Sequence, residues 1–377
     1  MCAFFCFFLA FWYFCISEHA KMRFTKYILS VICTIICVAC ATTDNSTPEL
    51  TEIYKPRYAK GFSIATNGTD TLIVITNPFQ GSGNSSEQIV LDKPMQRIIC
   101  TSSSHVAFLD KLGEWGRIVG VSGRRFITTQ NLSSAVRDIG YDTSLDYEAI
   151  VALRSDIVLL YGITGQNKAI CSKLSELGLR YAYIGEHAEV TPLAKSEWLV
   201  AFGYMCGKGD KAVAVFDSIA SRYSSLAEQA SKCEERPKVM LNAPYQDVWY
   251  VPSDDSYMVS LIADAAGEYV CRGDSSHTSR PIDIETAYRK VQEADIWLNT
   301  NQMGSLQEIR SSLPRFANVG AMTSGRVFNN TRRTNAAGGS DFWESGVVDA
   351  DIVLKDMIEI LHPELLDHTL YYYKQLQ

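Results

Sequence analysis

The sequence predicts an α/β protein: two Rossmann-like lobes with parallel sheets, joined by a long helix, with a ligand cleft between the lobes. Three observations carry this. A short phrase recurs in each half. Leu145-Asp146-Tyr147-Glu148-Ala149-Ile150 precedes Asp156-Ile157-Val158-Leu159-Leu160-Tyr161, and Ile282-Asp283-Ile284-Glu285-Thr286-Ala287 precedes Asp295-Ile296-Trp297-Leu298-Asn299. Strands and helices alternate through both halves, which predicts a mostly parallel sheet covered on both faces. Between the halves, residues 192–234 offer no strand, only apolar residues at helical spacing.

Each copy of the phrase begins apolar, acidic, apolar, Glu; a short amphipathic helix, an Asp and a buried strand follow. Acidic residues at helix starts ordinarily serve as caps. The paired placement of Glu148 and Glu285 sets a functional reading beside that one.

The net charge is −7, and the first 39 residues carry a surplus of two positive charges (Lys21, Arg23 and Lys26 against Glu18), leaving about −9 on the rest. A mildly acidic chain without a basic patch argues against a nucleic-acid partner.

Residues 1–39 read as a signal segment with Met22 as the true start. Met22-Arg23-Phe24-Thr25-Lys26 is basic, and the apolar run from Tyr27 to Ala39 is too short for a comfortable membrane span. It ends Cys37-Val38-Ala39-Cys40 and turns polar at once, which resembles a bacterial lipoprotein signal with Cys40 as the lipid-modified residue. Residues 40–60 then form a lipidated tether. Residues 61–94 form a β-hairpin decoration, with Thr71–Thr76 and Gln88–Leu91 as strands. Cys100, Cys171, Cys206, Cys233 and Cys271 follow at wide spacings with no zinc pattern, Cys100 and Cys206 in apolar surroundings that suit buried thiols.

The N-terminal lobe spans 95–191. It opens on strand Arg97–Cys100, then Thr101-Ser102-Ser103-Ser104 begins a helix; serines there cap, and their backbone N–H groups also meet ligands. Strands follow at Ile118–Val121, Ile157–Tyr161 and Tyr181–Gly185. Two linking helices occupy 192–234, the second long, interrupted at Gly207-Lys208-Gly209. The C-terminal lobe spans 235–377, with strands after Pro237, at Trp249–Val251, Ile296–Asn299 and Arg326–Asn329, and a closing helix Val348–Leu361.

Four stretches together resemble the helical-backbone (class III) solute-binding proteins of ABC transporters, the iron-siderophore, haem and cobalamin carriers. They are Arg97-Ile98-Ile99 with Ser102-Ser103-Ser104; Gly113 through Val119-Gly120-Val121-Ser122; Glu148–Leu153 with Asp156-Ile157-Val158; and Trp249-Tyr250-Val251-Pro252 with Ala266-Gly267. Gly338–Glu344 with Leu361–Leu365 is similar to the Bacteroidetes lipoprotein branch. The resemblance covers residues 95–365 and departs from the family at Arg154-Ser155-Asp156, which lacks the usual proline. It implies a lipid-anchored protein on the periplasmic side of a bacterial membrane, a monomer, whose partners are an ABC permease with its ATPase and a small metal chelate or macrocycle. Glu148 and Glu285 match the family's permease-docking positions. It implies no cofactor, no resident metal and no catalysis.

Open α/β lobes bind ligands at the carboxyl ends of their strands. The candidates there are Ser103, Ser104, Tyr141, Tyr161, Gly162, Glu186 and His187 from the first lobe. Tyr245, Trp249, Tyr250, Asn301, Arg332, Arg333 and Trp343 come from the second. Aromatic faces suit a flat macrocycle or catecholate and arginines an anionic chelate. Against this, aromatics in α/β proteins are commonly core and paired arginines commonly solvated. Two alternatives stand beside the carrier. One is direct zinc or manganese capture through His105, His187 and His277 with Glu186 or Asp341. The other is a tetrapyrrole chelatase using Glu186 and His187 as acid and base.

Overall fold

The computed structural model describes residues 50–76, 86–141, 144–162, 167–245, 248–273 and 279–377. The signal segment, Cys40 and the first half of the tether (residues 40–49) lie outside them, as does His277.

The first surprise is at the N-terminus. Strands β1 (Thr51–Tyr54), β2 (Phe62–Thr66), β3 (Thr71–Thr76) and β4 (Ser86–Leu91) form one antiparallel sheet in chain order. The hairpin expected over 61–94 is its β3–β4 pair, and part of the expected tether is its edge strand. Alternation explains it: Phe62, Ile64, Ile73, Ile75 and Ile89 all point to one buried face.

The first lobe contains β5 (Ile98–Cys100), α1 (Ser103–Lys111), β6 (Ile118–Val121) and β7 (Arg137–Asp138). The small pair β8 (Gly140–Tyr141) and β9 (Ser144–Leu145) comes next, then α2 (Tyr147–Ala152), β10 (Ile157–Tyr161), α3 (Asn167–Glu176) and β11 (Tyr181–Ile184). The sheet runs β11-β10-β5-β6-β7, parallel throughout.

Two helices follow, α4 (Pro192–Met205) and α5 (Gly209–Ser231), broken where the sequence predicts. Thr191 caps α4 through the Ala194 N–H, and Pro192 sits in the first turn, where its missing N–H costs nothing. Every residue of α4 except Tyr204 is buried, so it is a spine rather than a surface helix.

The second lobe contains β12 (Lys238–Leu241), β13 (Trp249–Val251), α6 (Tyr257–Asp264), β14 (Glu268–Tyr269) and β15 (Arg280–Ile282). It continues with α7 (Ile284–Glu293), β16 (Ile296–Leu298), α8 (Leu306–Ser312), α9 (Gly320–Thr323) and β17 (Val327–Asn329). It closes with α10 (Ser345–Val348), α11 (Ala350–Leu361) and β18 (Lys374–Gln375). Its sheet runs β14-β12-β16-β17-β18, parallel except for the last pair.

The sequence repeat is a structural repeat. Asp146 and Asp283 cap α2 and α7, accepting from the N–H groups of Ala149 (2.9 Å) and Thr286 (2.8 Å). Asp156 accepts from the N–H of Arg97 (2.9 Å) and Asp295 from that of Lys238 (2.8 Å), each tying the start of one strand to the start of its lobe's first. The helix-capping role therefore belongs to the aspartates, which leaves Glu148 and Glu285 without that explanation.

Cys100, Cys206 and Cys271 are buried free thiols, and no disulfide is present among the described residues. No helix among the described residues is long and apolar enough to cross a membrane.

Candidate functional site

A cleft of about 570 Å³ draws its lining from both lobes and from the spine. The turn from β5 into α1 supplies Thr101 to Ser104. The Thr101 hydroxyl donates to Leu159 O (2.9 Å) and accepts from the Tyr161 N–H (3.1 Å), locking the ends of β5 and β10 together. Ser102 caps α1, and the Ser104 hydroxyl donates to Glu186 Oε1. Tyr161 packs its ring 4.7 Å from that of His187. From the second lobe come Gly338, Gly339, Ser340, Phe342 and Trp343, with Tyr257 at the start of α6.

The floor is a buried cluster of charge. Glu186 lies 3.8 Å from His105 Nε2 and 4.0 Å from His187 Nδ1. Burial pushes its carboxyl up, but the two imidazoles and the Ser104 hydroxyl outweigh burial and hold it at about 2. Burial lowers His105 to about 4, so that ring is neutral at pH 7. Lys195, lowered to about 8 mainly by burial, stays protonated and donates to Glu186 O (3.0 Å) and His187 O (2.8 Å). Glu186 Oε2 and both ring nitrogens of His187 have no hydrogen-bond partner among the described residues.

Of the residues predicted from sequence, Ser103, Ser104, Tyr141, Tyr161, Glu186, His187 and Trp343 line this cleft together. Gly162 is buried beside Tyr161 and is not in the lining. Trp249 is not at the cleft. It is fully buried, stacked 5.5 Å from Trp297, and its indole donates to Leu241 O (3.0 Å). Strand alternation puts Trp249 inward and Tyr250 outward, which an aromatic-rich run alone does not disclose. Tyr245, Tyr250 and Asn301 line a separate hollow of about 920 Å³ on the second lobe alone. Though larger, it joins no residues of the two lobes. Arg332 is exposed and off the lining, and Arg333 is off the lining too, paired with Asp341 and stacked over Tyr371. His105 and His187 do flank Glu186, yet no group of three His, Cys, Asp or Glu among the described residues is placed to hold a metal ion.

Sequence reasoning missed the contact that joins the lobes beside the cleft. The buried Glu344 carboxylate of the second lobe accepts from the N–H groups of Thr128 and Thr129 of the first, both at 2.8 Å. The Asn335 amide donates to Arg125 O (3.0 Å). Gly339 comes so close that a Cβ there would stand 1.9 Å from Phe126 O. Burial, despite the two N–H donors, pushes Glu344 up to about 7. A group whose folded value is raised is most compatible with the fold below its unfolded value of 4.5, and that advantage is lost as pH rises through 7. The wild type should thus lose up to about 3 kcal/mol between pH 4.5 and 8 relative to Glu344→Gln, read from paired denaturation curves. Parallel pH profiles would remove Glu344 as the cause.

Two parallel-sheet lobes on a buried helical spine, with a cleft at their strand ends, define a solute-binding protein of the helical-backbone class. Residues 98–333 match the periplasmic binding protein family, and the chain belongs to it. An uncharacterized lipoprotein of Methanocaldococcus jannaschii is 26% identical over 290 residues, covering 73% of this chain and 67% of that protein. Among solved structures, a periplasmic binding protein of Veillonella parvula superposes with TM-score 0.59 at 13% identity, covering 78% of this chain and 99% of the other. A periplasmic heme-binding protein of Pseudomonas aeruginosa superposes with TM-score 0.57 at 17% identity, covering 75% and 98%. At such identities the likeness is one of fold. The family is one of transport solute-binding proteins, not enzymes.

Proposed function

We propose that this protein is a lipid-anchored carrier, held by Cys40 on the periplasmic side of a bacterial membrane, that captures an iron chelate, haem or cobalamin and delivers it to an ABC permease. The observation that carries the reading is the interlobe cleft itself, walled by Phe126, Tyr141, Tyr161, Phe342 and Trp343 around a polar floor. Its size lies in the range of small-molecule sites, and aromatic walls with a few polar groups are what such sites use to grip and orient a large flat ligand. Binding to a largely preformed cleft keeps the ordering cost low, consistent with a buried spine that bends little. The lipoprotein relative in Methanocaldococcus jannaschii supports the anchor.

The test is a tryptophan-quenching titration against hemin, cyanocobalamin and a panel of ferric siderophores, with zinc and manganese as controls. Trp343, half exposed in the lining, is the expected reporter. Saturable sub-micromolar binding to one chelate class is expected. Binding to free metal alone would transfer the site to direct metal capture, and silence across the panel would remove the chelate-carrier reading.

A further inference from the structure

The two charges on the cleft floor differ in what they leave open. Lys195 is turned to the backbone, its ammonium donating to two carbonyls. Glu186 is turned to the cleft with one oxygen filled by Ser104 and the other, Oε2, unpartnered, although its side chain is only 2% exposed. Beside it both nitrogens of His187 are unpartnered as well. The open groups of the floor are thus a carboxylate oxygen, 4.0 Å from His187 Nδ1, and an imidazole that always keeps at least one N–H donor.

No arginine among the described residues lines the cleft to offset the carboxylate. Arg124 is spent on Val136 O and Ser133 O within its own loop. Arg125 lies over the Phe126 ring, and Arg333 is committed to Asp341. The walls are aromatic, and ring faces attract positive charge rather than negative. A negative ligand entering this site meets a buried carboxylate whose nearest cation among the described residues, Lys195, already donates to two backbone carbonyls, and like charges opposed across a desolvated contact are strongly discriminated against.

On the carrier reading above, we infer that the cargo is a complex of zero or positive net charge that presents a hydrogen-bond donor to Glu186, and that Glu186 excludes polyanionic chelates. Glu186 is thus a specificity-determining residue. Its roles are divided: Ser104 fixes the carboxylate, Lys195 fixes the turn that carries it, and Oε2 reads the ligand.

Three probes test this in equilibrium titrations of the purified protein: cationic ferrioxamine B, neutral cyanocobalamin and trianionic ferric enterobactin. The wild type should bind at least one of the first two about tenfold or more tighter than the third. Glu186→Gln, close in shape but uncharged, should shrink that ratio about tenfold, chiefly by gaining affinity for the trianion. Equal or tighter binding of ferric enterobactin by the wild type, or an unchanged ratio in the variant, overturns the inference while leaving the carrier intact. Silence toward all three probes overturns the inference, and the hemin arm of the titration above then decides separately whether the chelate-carrier reading survives. Thermal melting checks that Glu186→Gln folds; if it does not, the wild-type ranking decides alone.

Discussion

Replacing Glu148 and Glu285 together with alanine is expected to leave cargo affinity unchanged and to abolish uptake by the intact transporter. Both residues are the second of their helices, one on each lobe, and both are exposed. Neither caps its helix, since Asp146 and Asp283 do that. Two like charges at fixed separation on a rigid frame suit recognition by paired basic pockets, where they set register more than raw affinity. The two sites are not equivalent. Glu148 has no ion pair among the described residues, whereas Glu285 is bound by Arg315, which itself lies over the Tyr288 ring. That guanidinium holds the Glu285 carboxyl below its usual range. If basic permease pockets receive both glutamates, the one at Glu285 must displace Arg315, so Glu148→Ala should slow uptake more than Glu285→Ala, and Arg315→Ala should strengthen docking at low salt. Transport assays in vesicles, paired with cargo titration, read both quantities. If the double variant lost cargo binding instead, the glutamates would belong to the ligand site.

How much of this was legible in the residues divides along contact distance. The repeat placed α2, β10, α7 and β16 because each is a local pattern of cap, amphipathic helix and buried strand. Ser103, Ser104, Tyr141, Tyr161 and His187 were legible because strand ends in parallel sheets point one way. Trp343 joined them from a short 3-10 helix, Asp341–Trp343, that no strand rule reaches. Trp249 and Arg333 were not legible, since their side chains are committed to partners, Trp297 and Asp341, that only the fold brings near. Glu344 is the sharper case. A lone Glu after Trp343 carries no local sign that it accepts two N–H groups from the other lobe.

The same long reach makes Glu197 the residue whose loss should destabilise the protein most. It is fully buried in α4, at a position where a carboxylate without partners would be untenable. Oε1 accepts from the Tyr54 hydroxyl and the Arg57 N–H, both at 2.8 Å, and Oε2 from the N–H groups of Tyr58 (2.7 Å) and Ala59 (2.8 Å). Glu189 continues the series, accepting from the N–H groups of Lys60 (2.9 Å) and Gly61 (2.8 Å). Five consecutive backbone donors are thus satisfied by two carboxylates rather than by a strand partner, and the segment is strapped to the spine. Gly61 is required there: a Cβ would stand 2.8 Å from Trp198 Cζ2. Hydrogen bonds to a charged acceptor contribute roughly 1.5–3 kcal/mol each, and removing the acceptor strands donors in a dry interface. Glu197→Ala should therefore cost about 4 kcal/mol or more, and Glu197→Gln less, because its amide oxygen still accepts. Chemical denaturation measures the loss, and hydrogen exchange locates it: protection should vanish first at 57–61 and spread to the four-stranded sheet. Because α4 also carries Lys195 under the cleft, ligand affinity should weaken with the strap. A loss below about 1 kcal/mol with exchange at 57–61 unchanged would mean that the apolar packing of Phe62 on Trp198, rings 4.9 Å apart, holds the sheet without the carboxylates.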